Sequence, residues 1–351
     1  MSSRYRRSIL KHFSRAIVFP CAVIAAGILP SALHGASAAD FYADKKINLV
    51  MGSDVGGGYD ALARLMARHY GHFIPGNPTV IVQAMPGGSG LIAANYLYNI
   101  AEKDGTELGL VMRNVLTAAL TNPESARFDV SKFNWIGSLA TESGMVIAWH
   151  TAGKETAADL FKSEMIVGGT TGTDTEITAR LLNEFTGTKL KIVTGYKGNA
   201  DVQLAMERGE IQGMGNISWS NLKRLPYLQN NQVRILMQNA LEKVPELPDV
   251  PLALEFAKSD MDRQVLELFL GQRLVARPVV APPNLPADRL AILRDAFIAM
   301  GKNPEFNADA KKVKLEVDPT THESVNKVIA SIASASPEVV KRFSEATAPR
   351  K

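Results

Sequence analysis

The chain is 351 residues long, 46% hydrophobic and 21% charged, with a formal net charge of +4 and one cysteine. The positive balance is local. Arg4, Arg6, Arg7, Lys11 and Arg15 all precede residue 40, where there is no Asp or Glu, and removing these five from the 39 Lys and Arg leaves 34 against 35 Asp and Glu.

Residues 1–39 read as a secretory signal peptide: a basic start, an apolar segment from Ala16 to Leu33 interrupted by Pro20 and Pro30, then Ala36-Ser37-Ala38-Ala39 as a small-residue cleavage site near Ala38 or Ala39. Arg6-Arg7-Ser8-Ile9-Leu10-Lys11 also resembles a twin-arginine export signal, so twin-arginine and ordinary secretory export both stay open. Cys21 follows Phe19-Pro20 without the small residue usual before a lipoprotein cysteine, so lipid anchoring is not expected. The remaining chain of roughly 310 residues is near-neutral, which removes the charge argument for nucleic acid or a membrane surface. It has no cysteine, hence no disulfide, thiol catalysis or Cys-based metal site. An exported soluble protein of one large or two ordinary domains, placed in the periplasm, is the expectation.

From Asp40 short β-prone runs alternate with helical ones. Ile47–Met51 reads as a strand, Gly56-Gly57-Gly58-Tyr59-Asp60 as a glycine loop, and Asp60–Tyr70 as a helix with Leu62, Leu65, Met66 and His69 at helical spacing. Thr79–Met85 is a second strand, followed by Pro86-Gly87-Gly88-Ser89-Gly90 and a helix over Leu91–Ile100; Leu108–Met112 is a third, ending at Arg113-Asn114. Phe133–Ile147 is long and β-prone and reads in part as a crossing into a second lobe. There Met165–Val167 leads to Gly168-Gly169-Thr170-Thr171-Gly172-Thr173-Asp174 and a helix over Glu176–Thr186. Lys191–Val193 precedes Gly195-Tyr196-Lys197-Gly198-Asn199 and a helix over Ala200–Arg208. Ile211–Met214 leads to Asn216, Ser218 and Trp219, and Arg234–Met237 reads as the return strand. Pro245, Pro248 and Pro251 mark a linker. Arg273–Val280 is strand-like and Ala287–Met300 helical. Alternating strands and helices imply βαβ units, mostly parallel sheets and a ligand beyond the strands' carboxyl ends, where these small-residue loops fall.

Enzyme chemistry finds little support. Gly56-x-Gly58-x-x-Ala61 fits a dinucleotide fingerprint formally, but Gln83, Ala84 and Met85 stand where an acidic ribose ligand is needed. There is no G-x-x-x-x-G-K-[ST] phosphate loop, and Gly87-Gly88-Ser89-Gly90-Leu91 lacks the last glycine of a nucleophile elbow. His69, His72, His150 and His322 show no metal-ligand spacing, and no cofactor or metal is expected. The loops supply anion receptors instead: backbone N–H groups of Gly57, Gly58, Gly88 and Ser89, hydroxyls of Thr170, Thr171 and Thr173, amides of Asn114 and Asn216, and the charges of Arg113 and Lys197. Asp60 suits helix capping or pairing with Arg64 at i+4. For any one loop residue a turn or cap remains as good a reading as a ligand contact.

Strand–GGGxD–helix followed by strand–PGGSG–helix, behind a signal peptide, resembles the periplasmic solute-binding proteins of tripartite tricarboxylate transporters, also called Bug proteins. GGTTGTDTE, GYKGNADVQLAMERGEI, PELPDVPLALEFA and VVAPPNLPADRL continue the resemblance in order along the chain. It implies an α/β fold of two Rossmann-like lobes joined by crossing strands, the type II Venus-flytrap architecture, with residues 40–142 and 246–351 in lobe 1 and 143–245 in lobe 2. It also implies a small organic acid held by Val55, Gly56, Gly57, Gly58 and Tyr59 with Gly87, Gly88, Ser89 and Gly90, and closed over by Thr170, Thr171, Thr173, Tyr196, Lys197 and Asn216. Arg113 adds charge at a strand end. The partner implied is a membrane permease of one large and one small subunit, the ligand being a carboxylate and the receptor a monomer. Asp54, Tyr59 and Arg113 depart from the family pattern and point away from a simple four-carbon diacid, toward an aromatic or longer-chain acid. A ligand-presenting partner of a membrane histidine kinase, and an exported hydrolase using Ser89, are the alternatives.

Overall fold

The computed structural model describes residues 41–348. The export signal expected over residues 1–39 lies outside the described residues.

Two sheets organise the chain. β1 (Lys46–Met51) leads to α1 (Gly58–His69), β2 (Thr79–Ala84) to α2 (Leu91–Asn99), and β3 (Glu107–Leu110) to α3 (Val115–Thr121). After β4 (Asn134–Ser138) the chain leaves for the second sheet, built from β5 (Gly144–Trp149), β6 (Met165–Gly168), α4 (Asp174–Thr186), β7 (Leu190–Val193), α5 (Asn199–Glu207), β8 (Gly213–Ser218), α6 (Trp219–Arg224) and β9 (Val233–Asn239). It then returns through α7 (Asp260–Gly271), β10 (Pro278–Ala281), α8 (Ala287–Lys302), β11 (Thr320–Thr321), α9 (His322–Ala333) and α10 (Pro337–Thr347).

The first sheet runs β11-β4-β10-β3-β1-β2, and the second runs β7-β6-β8-β5-β9. Parallel pairing is confined to one trio in each: β2-β1-β3 and β7-β6-β8. β10 lies antiparallel to both β3 and β4, and β5 antiparallel to both β8 and β9. The expectation of mostly parallel sheets is therefore corrected to mixed ones. The parallel strands come from βαβ units, which need a helical crossover. The antiparallel strands lie next to the two segments that pass from one sheet to the other.

Central strands are covered on both faces, so they read as apolar runs rather than alternations. Ile47, Leu49, Val50 and Met51 of β1 are all fully buried. In β5 the pleat separates Met145, Ile147 and Trp149 on one face from Val146 and Ala148 on the other, and each set enters a different core. A further core crosses between the sheets. Val50, Leu91 and Trp135 from the first sheet's side join one cluster with Leu181 and Phe185 of α4, Val265 and Leu266 of α7 and Phe343 of α10. Each such side chain contributes about 1.5–3 kcal/mol on burial. Arg180 of α4, nearly buried, donates to the carbonyls of Thr347 at 3.2 Å and Ala348 at 2.9 Å, meeting the negative end of α10 with a positive charge.

Three segments differ from their sequence reading. The β-prone run at 133–147 is two strands in different sheets, split at Leu139–Ser143. Only Pro278–Ala281 of the run at 273–280 is a strand, because Gln272–Val275 winds on from α7 as a 3₁₀ turn. β8 extends to Ser218, so Asn216 lies within a strand rather than beyond its end. Among the described residues no helix is long and apolar enough to cross a membrane.

Glu107 opens β3 nearly buried. Its Oε1 accepts from Asn48 Nδ2 at 2.7 Å, while its Oε2 is buried without a hydrogen-bond partner. Burial pushes the carboxyl up, Asn48 opposes that, and Asp104 and Glu102 add to it. A folded carboxyl that keeps its proton to higher pH than the unfolded one contributes stability at low pH and loses it as pH rises through the raised value. Glu107→Gln keeps an acceptor for Asn48 and removes the charge. It is expected to stabilise the fold near neutrality by about 1 kcal/mol. That gain should vanish at about pH 4, where the wild-type carboxyl is protonated. Urea unfolding at both pH values checks this, and an equal effect at both would assign the change to packing instead.

Candidate functional site

Because β1, β2 and β3 are parallel, their carboxyl ends meet at one edge and bring the two glycine loops together. A methyl group on Gly52 would sit 3.3 Å from the Cα of Gly90, so the loops touch through backbone. The first loop is braced by Asp60. One of its oxygens accepts from the Gly56 N–H at 3.0 Å and the other from Arg64 Nε at 2.9 Å. Those two bonds, Arg64 first, hold the carboxyl below its ordinary range. Of the two tasks considered for Asp60, pairing with Arg64 is performed; in place of a helix cap, the second oxygen braces the loop at Gly56, since the cap residue is Gly57 and takes no side-chain bond. In the second loop Ser89 is held at φ 54°, a left-handed conformation, with its carbonyl taken by Asn114 Nδ2 at 2.9 Å.

Tyr59 turns from the first loop toward the crossing segments. Its hydroxyl donates to the Ala276 carbonyl at 2.9 Å and accepts from the Arg113 N–H at 3.2 Å. Its ring lies beneath the Arg277 guanidinium, 4.5 Å from centroid to Cζ. A tyrosine here therefore ties two separate segments, Arg113 and Ala276-Arg277, to the loop.

Below the loops sits a charge network. Arg113 pairs with Glu142 and, at 3.2 Å, with Asp174; Arg273 reaches the same Asp174 at 2.9 Å and Thr178 Oγ1 at 3.2 Å. Asn216 Nδ2 donates to Asp174 at 2.6 Å, and its own Oδ1 accepts from Asn239 Nδ2 at 3.1 Å. Burial raises the Asp174 carboxyl, but Arg273 and Arg113 outweigh it and hold it below its ordinary value. Glu142 follows the same balance, with Arg113, Arg277 and Arg273 overcoming burial. Burial lowers the Arg113 guanidinium, and Asp174 and Glu142 reverse that, leaving it raised.

A cavity of about 390 Å³ opens beside this network, lined by Gly58, Glu142, Asn199, Ser218, Arg224 and Arg277 among others. Its acids are already matched: Glu142 by Arg113, and Glu316 by Lys223 at 3.5 Å. Its arginines are not. Arg277 gives Nη1 to the Ala276 carbonyl at 2.8 Å and keeps a buried Nε without a partner. Arg224 donates to the Lys314 carbonyl and to Asn221 Oδ1. Among the described residues neither guanidinium forms an ion pair with a carboxylate, although Arg277 helps hold Glu142 in its charged form. A separate cavity of about 230 Å³ takes Gly88, Ser89 and Asn114 together with Ile177, Phe269 and Phe343.

A family description of the tripartite tricarboxylate transporter family receptor matches residues 75–344. The chain belongs to that receptor family. It is 25% identical over 251 residues to a UPF0065 protein from the TAR-I ttuE-ttuC' intergenic region of Agrobacterium vitis, covering 70% of each chain. Its fold is similar to a TctC solute binding protein from Polaromonas, with TM-score 0.66 and 17% identity, covering 87% of this chain and 98% of that one. It is also similar to an R. palustris protein solved with adipate, with TM-score 0.59 and 18% identity over 86% and 97% of the two chains. The chain shares its two-sheet α/β fold with these neighbours.

Within this receptor the loop residues named from sequence separate into groups. Gly58 reaches the larger cavity and Gly88 and Ser89 the smaller one, while no residue lines both. Val55 is 65% exposed. Gly56 is spent on Asp60, and Gly57 precedes α1 in extended conformation. Gly87 and Gly90 turn the second loop through positive φ, and Gly90 packs so closely on Met112 that a Cβ would sit 3.0 Å away. Arg113 and Asn216 belong to the charge network. In the threonine loop Thr173 Oγ1 donates to the Thr170 carbonyl at 2.7 Å, Thr171 is exposed, and the Thr170 hydroxyl is buried without a partner. Tyr196 is half-buried against Gly168, and Lys197 is exposed beside it.

Sequence reasoning overlooked Arg224, Arg273 and Arg277. The one available signal was Arg273-x-x-x-Arg277, a pair of charges inside an apolar run just before the Ala-Pro-Pro junction. Of the histidines named from sequence, His69 faces Asp309 at 3.1 Å, His322 faces Glu323 at 3.2 Å, and His150 lies against Trp149.

Asp174→Asn leaves Arg273 without its counter-charge. The expected loss is about 2–3 kcal/mol at neutral pH, under the 3–5 of a fully buried pair because Asp174 keeps 28% exposure. Lowered carboxyls contribute stability above their unfolded pKa and lose it as pH falls through the folded one, so the wild type should weaken in acid more steeply than the variant. Denaturant melts from neutral pH downward measure the two slopes; parallel slopes would contradict the assignment.

Proposed function

We propose that this receptor captures a small organic carboxylate in the cavity between Gly58 and the second sheet's Asn199 and Ser218. The carrying observation is the charge pattern of that cavity: its acids are neutralised by cations of their own, and the Arg277 guanidinium has a buried, unpartnered Nε. A buried charged donor without an acceptor is costly, and a carboxylate supplies paired acceptors for it. Gly58 at the start of α1 adds a positive helix end. Family membership and the adipate-bound neighbour support the same class of ligand.

In this reading the protein is a binding protein rather than an enzyme, acts as a monomer in the periplasm after removal of residues 1–39, and delivers its ligand to the membrane subunits of a tripartite tricarboxylate-type transporter. Residues 40–142 with 246–351 form one lobe and 143–245 the other, and the ligand lies between them. The second glycine loop and the Thr170–Thr173 loop lie outside that cavity's lining and bring no charge to it.

A thermal-shift screen of mono-, di- and tricarboxylates, aromatic acids and amino acids tests this. A ligand at 100 times its Kd should stabilise the protein by about 2.7 kcal/mol. Arg277→Gln should weaken that ligand by about 10- to 100-fold, with circular dichroism of the unliganded variant establishing that it is folded. A panel in which no organic anion shifts the melt would refute the proposal.

A further inference from the structure

The same cavity holds a second guanidinium, and the two arrive from different sheets. Arg277 directly precedes β10 of the first sheet, whereas Arg224 ends α6, which follows β8 of the second. They also differ in how firmly they are held. Arg277 rests on the Tyr59 ring, and that ring is fixed by hydrogen bonds to Ala276 and Arg113. Arg224 is exposed, and among the described residues its hydrogen bonds run to the Lys314 carbonyl and the Asn221 side chain. In both, the guanidinium has more donors than its protein contacts use.

Two positive groups lining one cavity repel unless anionic charge separates them, and of the lining acids Glu142 is ion-paired with Arg113 and Glu316 with Lys223. One carboxylate presents its oxygens as a single fork, which suits one arginine at a time. Building on the carboxylate reading above, we infer that Arg277 and Arg224 grip opposite ends of one dianionic ligand, Arg277 as the fixed anchor and Arg224 as the selector of the distal charge. Neutral Ser218 and Asn199 share the lining and suit the uncharged middle of such a ligand. Arg224 donates to Lys314, which the chain holds at φ 56° after its return to the first sheet, so gripping the distal carboxylate also engages a contact that already ties α6 to the first-sheet side.

The test uses the full receptor with straight-chain diacids from succinate to pimelate and the monomethyl ester of each, followed by titration calorimetry. The wild type should prefer the best diacid to its half-ester by about 10- to 100-fold. Arg224→Gln should bring the two ligands to within about threefold of each other while leaving the half-ester's affinity nearly unchanged, and Arg224→Lys should restore part of the preference. Arg277→Gln should weaken diacid and half-ester alike. Circular dichroism melts of each unliganded variant establish that it is folded. A wild type indifferent to esterification, or an Arg224→Gln variant that keeps the preference, overturns the two-ended grip while leaving carboxylate binding intact. Failure of every acid and half-ester to bind would instead overturn the carboxylate reading itself.

Discussion

Asp174 is the constraint on which the arrangement of the cleft depends. It sits at the start of α4 with a guanidinium from each of two distant segments and an amide from β8 directed at it. A carboxylate in that position is tolerated only while those donors stay in place, and the donors in turn lose their counter-charge if it moves. Arg113 follows β3, Glu142 lies on the outward crossing and Arg273 on the return, so the network fixes both crossings against the loops of both sheets. The hydrophobic cluster shared by α4, α7 and α10 supplies adhesion at the same junction, but apolar contact is non-directional. Orientation comes from the charges.

Charge accounting also decides what the cleft offers a solute. Arg113, named from sequence as a ligand residue, is occupied by Glu142 and Asp174. Arg277, separated by Pro278 alone from the VVAPPNLPADRL stretch, carries the unfilled donor. The distinction is invisible along the chain because pairing is a matter of three-dimensional distance. Coulomb energy at ion-pair separation is several times larger in a low-dielectric cleft than in water, so which cation is matched matters more than how many there are.

The architecture was largely legible in sequence. Glycine loops after apolar runs marked β1 and β2, and the helices at 58–69 and 174–186 followed from their apolar spacing. Strand direction was not legible, since β4, β5 and β10 look like any short apolar run and acquire antiparallel partners only through the crossings. Local glycine patterns picked out the strand-end edge where the two loops meet, yet named residues there by their flexibility. The residues that organise the cleft are long side chains instead: Tyr59 reaching Ala276, and Arg273 reaching Asp174. Contacts spanning such sequence separations leave no periodic trace. The tyrosine that departs from the family pattern is explained by what it holds rather than by what it could bind.

The strand order of the first sheet has a consequence for how the chain must assemble. β10 occupies the interior slot between β4 and β3, although it is made long after both. Until residues 278–281 arrive, β3 and β4 each present a bare edge to a gap in the middle of their own sheet. The second sheet is drawn from one unbroken stretch, β5 to β9, and needs nothing from outside it to pair. The second sheet can therefore pair completely from its own stretch of chain, whereas the first cannot close until β10 is available. Long-range pairing of this kind is slow and leaves strand edges exposed while it waits. A chain that crosses a membrane before folding would have to keep that slot from being filled by a strand of another molecule.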